Sequence, residues 1–201
     1  MQAFTRVSGP AAALPVDNLD TDIIIRIERV TTLERDRLGP WALEALRFRA
    51  DGTEEPDFIL NQPTFRYAPI LIGGANFGCG SSREAAVWAL MARGIRVVIA
   101  PSFGDIFFNN AFENGLLAIR LAPGEVERLA RHAAGGMPLE VDLGSQLIRV
   151  DREELRFEVD PTRRQALLAG LDSIGLTLRA RERIRAWQHA DRGRRPWAWP
   201  S

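Results

Sequence analysis

One cysteine, one tyrosine and two histidines in 201 residues remove several kinds of chemistry before any motif is read. A single thiol excludes an internal disulfide and an iron–sulfur cluster held by this chain alone, since such clusters take about three or four thiolates. Any such metal has to come from a partner. No run approaches the roughly 18 apolar residues of a membrane span. The N-terminus also lacks the basic, apolar and small-residue regions of a signal peptide, so a cytoplasmic location is expected. Net charge is missing as well: 26 basic and 26 acidic residues cancel, leaving no field to draw the chain to nucleic acid or to a membrane. The basic residues that gather between 179 and 195 are mixed with acids and read as a solvated helix face and tail.

What is present suits one core. With 46% hydrophobic residues, the chain is expected to form a single domain over residues 1–190 with a short tail at 191–201. Strand-like apolar runs occur at 23–25, 58–60, 70–72, 97–100 and 116–121, and a small antiparallel meander is expected over 139–143, 147–150 and 155–159. Helical spacing falls at 41–49, 85–93, 105–110, 125–134, 160–168 and 179–189. The charged stretch 26–52 reads as a mobile loop, and 170–178 as a regular, turn-rich segment. Irregular alternation of strands and helices predicts an α/β domain with mixed strand directions.

The most informative stretch is Asn-Phe-Gly-Cys-Gly-Ser-Ser-Arg-Glu at 76–84. It lies between the apolar run ending at Ile72 and the helical segment from Ala85. Gly78 and Gly80 allow left-handed backbone and close approach of a ligand, and the first N–H groups of the helix favour an anion. Arg83 adds a planar fork matched to a carboxylate or phosphate. The competing reading is a turn in which Ser81 or Ser82 merely caps the helix, with Glu84 as a first-turn acid. The stretch is not Gly-x-Ser-x-Gly, and His132 and His189 lie far downstream, so a serine hydrolase lacks a natural base. Nor is it a dinucleotide fingerprint or a phosphate loop: Arg83 stands where the third glycine would be, and no Gly-Lys-Ser/Thr ending follows.

Four strings taken together resemble one family: Asn-Leu-Asp-Thr-Asp at 18–22, the 76–84 stretch, Ala-Pro-Ser-Phe-Gly-Asp-Ile-Phe at 100–107, and Gly-Leu-Asp-Ser-Ile-Gly-Leu-Thr-Leu at 170–178. In that order along nearly the whole chain, they are similar to the small subunits of bacterial 3-isopropylmalate dehydratase, relatives of the swivelling C-terminal domain of aconitase. The resemblance implies a β/β/α layered domain that closes over a [4Fe–4S] cluster held by a large subunit. It further implies dehydration and rehydration of 2-isopropylmalate to 3-isopropylmalate in leucine biosynthesis, with the iron acting as a Lewis acid. By the same resemblance Ser81, as an alkoxide, removes a carbon-bound proton, while Ser82 and Arg83 hold a substrate carboxylate. A serine oxygen can serve so only in concentrated positive potential, which a helix N-terminus, a nest of N–H groups and Arg83 would supply together.

Other residues take structural readings. Asp20, Thr21 and Asp22, with Asn76, Gly78 and Gly80, are expected to shape the site, the two acids accepting backbone N–H groups rather than binding metal. Cys79 reads as a small buried residue, and Phe103, Phe107, Phe108 and Phe112 as core or subunit contact. The chain departs from the family strings at Arg26, Ala85 and Ala118, where proline, histidine and proline are usual. In the family, specificity lies in the segment here at 26–37. Val30 and Leu33 could meet a branched apolar tail, whereas Arg26 or Arg29 could meet the extra carboxylate of a tricarboxylic acid. A hydratase for another substituted malate and a non-catalytic paralogue are the alternatives.

Overall fold

A computed structural model describes residues 1–199. The strands are β1 (Arg6–Gly9), β2 (Ala11–Leu14), β3 (Ile70–Gly73), β4 (Val97–Ala100), β5 (Leu117–Arg120), β6 (Leu139–Asp142), β7 (Leu147–Val150) and β8 (Glu153–Arg156). The helices are α1 (Thr21–Ile24), α2 (Ile27–Thr32), α3 (Glu44–Arg47), α4 (Ala85–Ala92), α5 (Asp105–Asn114), α6 (Pro123–Ala134), α7 (Pro161–Ala169), α8 (Ser173–Leu178) and α9 (Arg181–Arg194).

The mixed strand directions expected from the sequence separate into two sheets. One is antiparallel, in the order β1-β6-β7-β8, and the other is parallel, in the order β2-β3-β4-β5. Residue choice explains the split. Ile-Leu-Ile-Gly and Val-Val-Ile-Ala, the strands β3 and β4, are buried throughout, as strands covered on both faces must be. β6 and β7 alternate buried and half-buried residues, the signature of a sheet with one face on the core. α6 lies on β2, β3 and β4 through Val126, Leu129 and Ala133, a stripe at helical spacing. α4 is apolar nearly all round and packs against α5 and α1. No helix among the described residues is long and apolar enough to cross a membrane.

Several local expectations change in the fold. The run Ile23-Ile24-Ile25 is not a strand: Asp20 Oδ1 accepts the Asp22 N–H at 2.6 Å and starts the single turn α1, because an aspartate at that position satisfies a free donor. Residues 59–61 form a 3-10 turn rather than a strand. Within 26–52, α2, α3 and two 3-10 turns replace the expected loop, and the helix expected at 41–49 shrinks to α3. Buried Arg47 fastens this segment, donating from Nε to Asn61 Oδ1 at 3.1 Å and from Nη1 to the Pro40 carbonyl at 2.7 Å. Burial, with the repulsion of Arg93, lowers the Arg47 pKa to about 10, so it still carries its charge at neutral pH. Residues 170–178 include the helix α8, capped by Asp172 Oδ1 accepting the Gly175 N–H at 2.7 Å. The last helix runs to Arg194, so residues 191–194 belong to it rather than to a tail.

Candidate active site

Three of the four family-like strings meet at one place. The 76–84 turn leaves β3 and enters α4, and on its way it is clamped on two sides. On one side Gly78 N donates to the Leu19 carbonyl at 2.8 Å and Thr21 N to the Cys79 carbonyl at 2.9 Å. On the other, Phe77 N donates to the Ser102 carbonyl at 3.0 Å and Gly104 N to the Phe77 carbonyl at 2.9 Å. The side chains of Asn76 and Asn18 join at 2.8 Å. The turn therefore behaves as a short extra strand between segments 18–22 and 102–104, far stiffer than its glycines suggest.

Those glycines are required by space as well as by conformation. Gly78 has φ +72°, and a Cβ there would lie 2.3 Å from the Phe107 ring. Gly80 has φ +94°, and a Cβ there would lie 2.4 Å from Asp20 Oδ2. Phe107 stacks edge-on against Phe77 with centroids 5.4 Å apart, so Phe103 and Phe107 are core beneath the turn. Cys79 lends its carbonyl to Thr21, and its thiol is free and half-buried.

Ser81 Oγ lies 2.9 Å from Thr21 Oγ1, and the Ser81 N–H donates to the same Thr21 oxygen at 3.2 Å. Thr21 is only 1% exposed, so its hydroxyl is a fixed partner whose proton is available to Ser81 Oγ. Neither serine caps α4, whose first residue follows Glu84 without a side-chain cap. Capping therefore fails as an account of the serine pair. The backbone N–H groups of residues 82–85 make no hydrogen bond among the described residues, and the positive end of the α4 dipole gathers at this uncapped start of the helix. Ser81 and Ser82 are exposed, at the mouth rather than inside.

Arg83 is partly committed. Its Nη1 donates to Asp22 Oδ1 in a short ion pair and to the Ile25 carbonyl at 3.0 Å. Asp20 accepts a backbone N–H as expected, but Asp22 pairs with the guanidinium, a contact no local pattern could reveal because 61 residues separate the partners. The pair aims the fork and lowers its net charge, while Nη2 makes no bond among the described residues.

The 26–37 segment carries a second surprise. Arg26 Nε and Arg29 Nε both meet Glu44, at 3.4 and 3.0 Å, and the Arg29 guanidinium lies 3.4 Å over the Trp41 ring. The two cations offered by the sequence for a third carboxylate thus share a carboxylate inside the chain. Val30 and Leu33 are half-buried against the core. Ile27, which the sequence reading passed over, is 47% exposed and stands two residues beyond the carbonyl that receives Arg83. Its position in an apolar-poor, charged stretch was the available signal. Ala85 and Ala118 are only 3% and 2% exposed, so both departures from the family strings are absorbed in packing.

The fold around this turn is a known one. The aconitase C-terminal domain family matches residues 1–124. The 3-isopropylmalate dehydratase small subunit of Rhodospirillum centenum is 52% identical, with 98% of this chain and 99% of that one covered. The chain belongs to the 3-isopropylmalate dehydratase small-subunit family. The small subunit of Paramagnetospirillum magneticum is 48% identical over 98% of this chain and 100% of its own length. A crystal structure of 3-isopropylmalate dehydratase from Methanocaldococcus jannaschii superposes with a TM-score of 0.67 at 27% identity, covering 92% of this chain and 99% of that one. Two-sheet architecture and full-length coverage agree with membership of this small-subunit family.

Proposed function

We propose that this chain is the small subunit of a hydro-lyase that interconverts 2-isopropylmalate and 3-isopropylmalate in leucine biosynthesis, working in the cytoplasm with a large subunit. The observation that carries the reading is the Thr21–Ser81–Arg83 constellation in a chain of this family: a hydroxyl with a buried hydroxyl partner, at a helix N-terminus with free N–H groups, beside a guanidinium held by Asp22. Ser81 takes the proton from carbon, Thr21 and the N–H groups stabilise its oxyanion, and Ser82 with Arg83 orients a carboxylate. Asp20 and Asn76 hold the turn that carries them.

The donor set of this chain does not fit an iron–sulfur cluster, because Cys79 is its only thiol and the described residues contain no group of three or more His, Cys, Asp or Glu able to hold a metal. The [4Fe–4S] cluster belongs, in this reading, to the large subunit. Purified alone, the chain is expected to carry no iron and to turn over nothing; mixed anaerobically with the large subunit it should convert 2-isopropylmalate. Iron near one cluster per chain in the isolated protein, or turnover by it alone, would refute the two-subunit reading.

The tie of Arg26 and Arg29 to Glu44 favours a substrate with a branched apolar tail over a tricarboxylic acid. Val30 and Leu33, with Ile27 at the exposed edge, are the apolar groups on this segment. Val30→Ala or Leu33→Ala should lower the preference for 2-isopropylmalate over a methyl-substituted malate by roughly 10-fold, since one apolar contact is worth about 1–3 kcal/mol. A wild-type complex that already prefers the shorter acid, or a tricarboxylic one, would overturn the substrate and leave the reaction class standing.

A further inference from the structure

Asn114, the last residue of α5, is 7% exposed and has every polar valence filled. Its Oδ1 accepts from Arg35 Nη2 at 2.6 Å and from Trp88 Nε1 at 3.0 Å. Its Nδ2 donates to Glu84 Oε1 at 2.7 Å and to the Asn110 carbonyl at 2.9 Å. The Arg35 guanidinium also lies over the Trp88 ring, 4.9 Å from its centroid. Glu84 and Trp88 are one turn apart and share a face at the start of α4, and Glu84 directly follows Arg83. Arg35 belongs to the 26–37 segment. One buried amide therefore joins the turn carrying Ser81, Ser82 and Arg83 to the segment assigned to the substrate's tail.

We infer that Asn114 is a positioning residue for the Ser81–Ser82–Arg83 turn, acting through Glu84 and coupling that turn to the 26–37 segment through Arg35; this rests on the hydro-lyase reading above. A buried amide whose two acceptor and two donor positions are all used admits one orientation only. The Glu84 carboxylate is held in place by it, and with Glu84 the backbone of Arg83 and the first turn of α4. Reacting groups placed by such contacts lose rate steeply with small displacements.

Hydrogen-bond polarity provides the test. In Asn114→Asp the side chain keeps its shape, but the group facing Glu84 changes from a donor to a carboxylate oxygen, and two carboxylates then confront each other across the former 2.7 Å contact. Glu84→Gln alone keeps an acceptor for Asn114 Nδ2 and should cost less. Combined, the two changes reverse the bond, with the introduced amide donating to the introduced carboxylate. With the assembled two-subunit complex and 2-isopropylmalate, Asn114→Asp should lower kcat by up to about 10²-fold, with KM moved far less. The double variant should recover the part of that loss carried by Glu84, the Asn110 carbonyl still meeting a carboxylate oxygen. Wild-type turnover is measured first: none at all sinks the hydro-lyase reading, and this positioning role with it. If the wild type turns over and Asn114→Asp keeps its kcat, the positioning role alone falls. It falls equally if the double variant is as slow as Asn114→Asp, or fails to assemble, because an effect that runs through Glu84 is restored when that bond is reversed.

Discussion

Ser81→Ala is expected to lower the turnover of the assembled complex by about 10² to 10⁴, the usual contribution of a positioned base, while subunit association and substrate affinity change far less. The structure supplies the reason for the split. Ser81 Oγ is exposed and touches Thr21, so its removal leaves no cavity in the core, and Thr21 Oγ1 still accepts the backbone N–H of residue 81. Ser82→Ala, which deletes a group assigned to binding, should act more on KM. Steady-state kinetics of the two variants side by side decide the matter. A crippled Ser82→Ala beside a mild Ser81→Ala would move the base by one residue.

Arg83→Lys is expected to fail almost as badly as Arg83→Ala, with both substrate affinity and turnover reduced. In the native protein one nitrogen of the guanidinium serves Asp22 and the Ile25 carbonyl at once, leaving the rest of the planar fork for a ligand. An ammonium is a single point, and once satisfied by Asp22 it has no second edge at a fixed angle. The loss of the Ile25 contact also frees the backbone leading into α2, so the preference among substituted malates should blur in the same variant. Kinetics for 2-isopropylmalate and a methyl-substituted malate measure both effects. A lysine variant within a few-fold of wild type on both would mean that Arg83 contributes charge and nothing directional.

The sequence carried a great deal here, for identifiable physical reasons. Strands β3 and β4 were legible because a strand buried on both faces has to be a continuous apolar run. The meander of β6, β7 and β8 was legible from short runs separated by turn residues, although β8 lies at Glu153–Arg156 and overlaps the expected 155–159 only at its end. The 76–84 turn was legible as a strand-to-helix turn because its glycines stand where positive φ is required.

What the sequence concealed is what depends on distant partners or on one competing local contact. Ile23-Ile24-Ile25 has strand chemistry, yet a single hydrogen bond from the Asp22 N–H to Asp20 tips it into a helical turn. The 26–52 segment looked like a loop because its order comes from outside it, from Asn61 on Arg47, or from within it at long range, as with Glu44 on Arg26 and Arg29. Asp22 and Arg83 lie 61 residues apart, Thr21 and Ser81 60, and Arg35 and Asn114 79. Local pattern fixes the chemistry that a residue can perform. Which charge is spent on a neighbour and which is left for a ligand is settled when the chain closes, because only then do Asp22, Glu44 and Asn114 take up partners that no spacing rule connects to them.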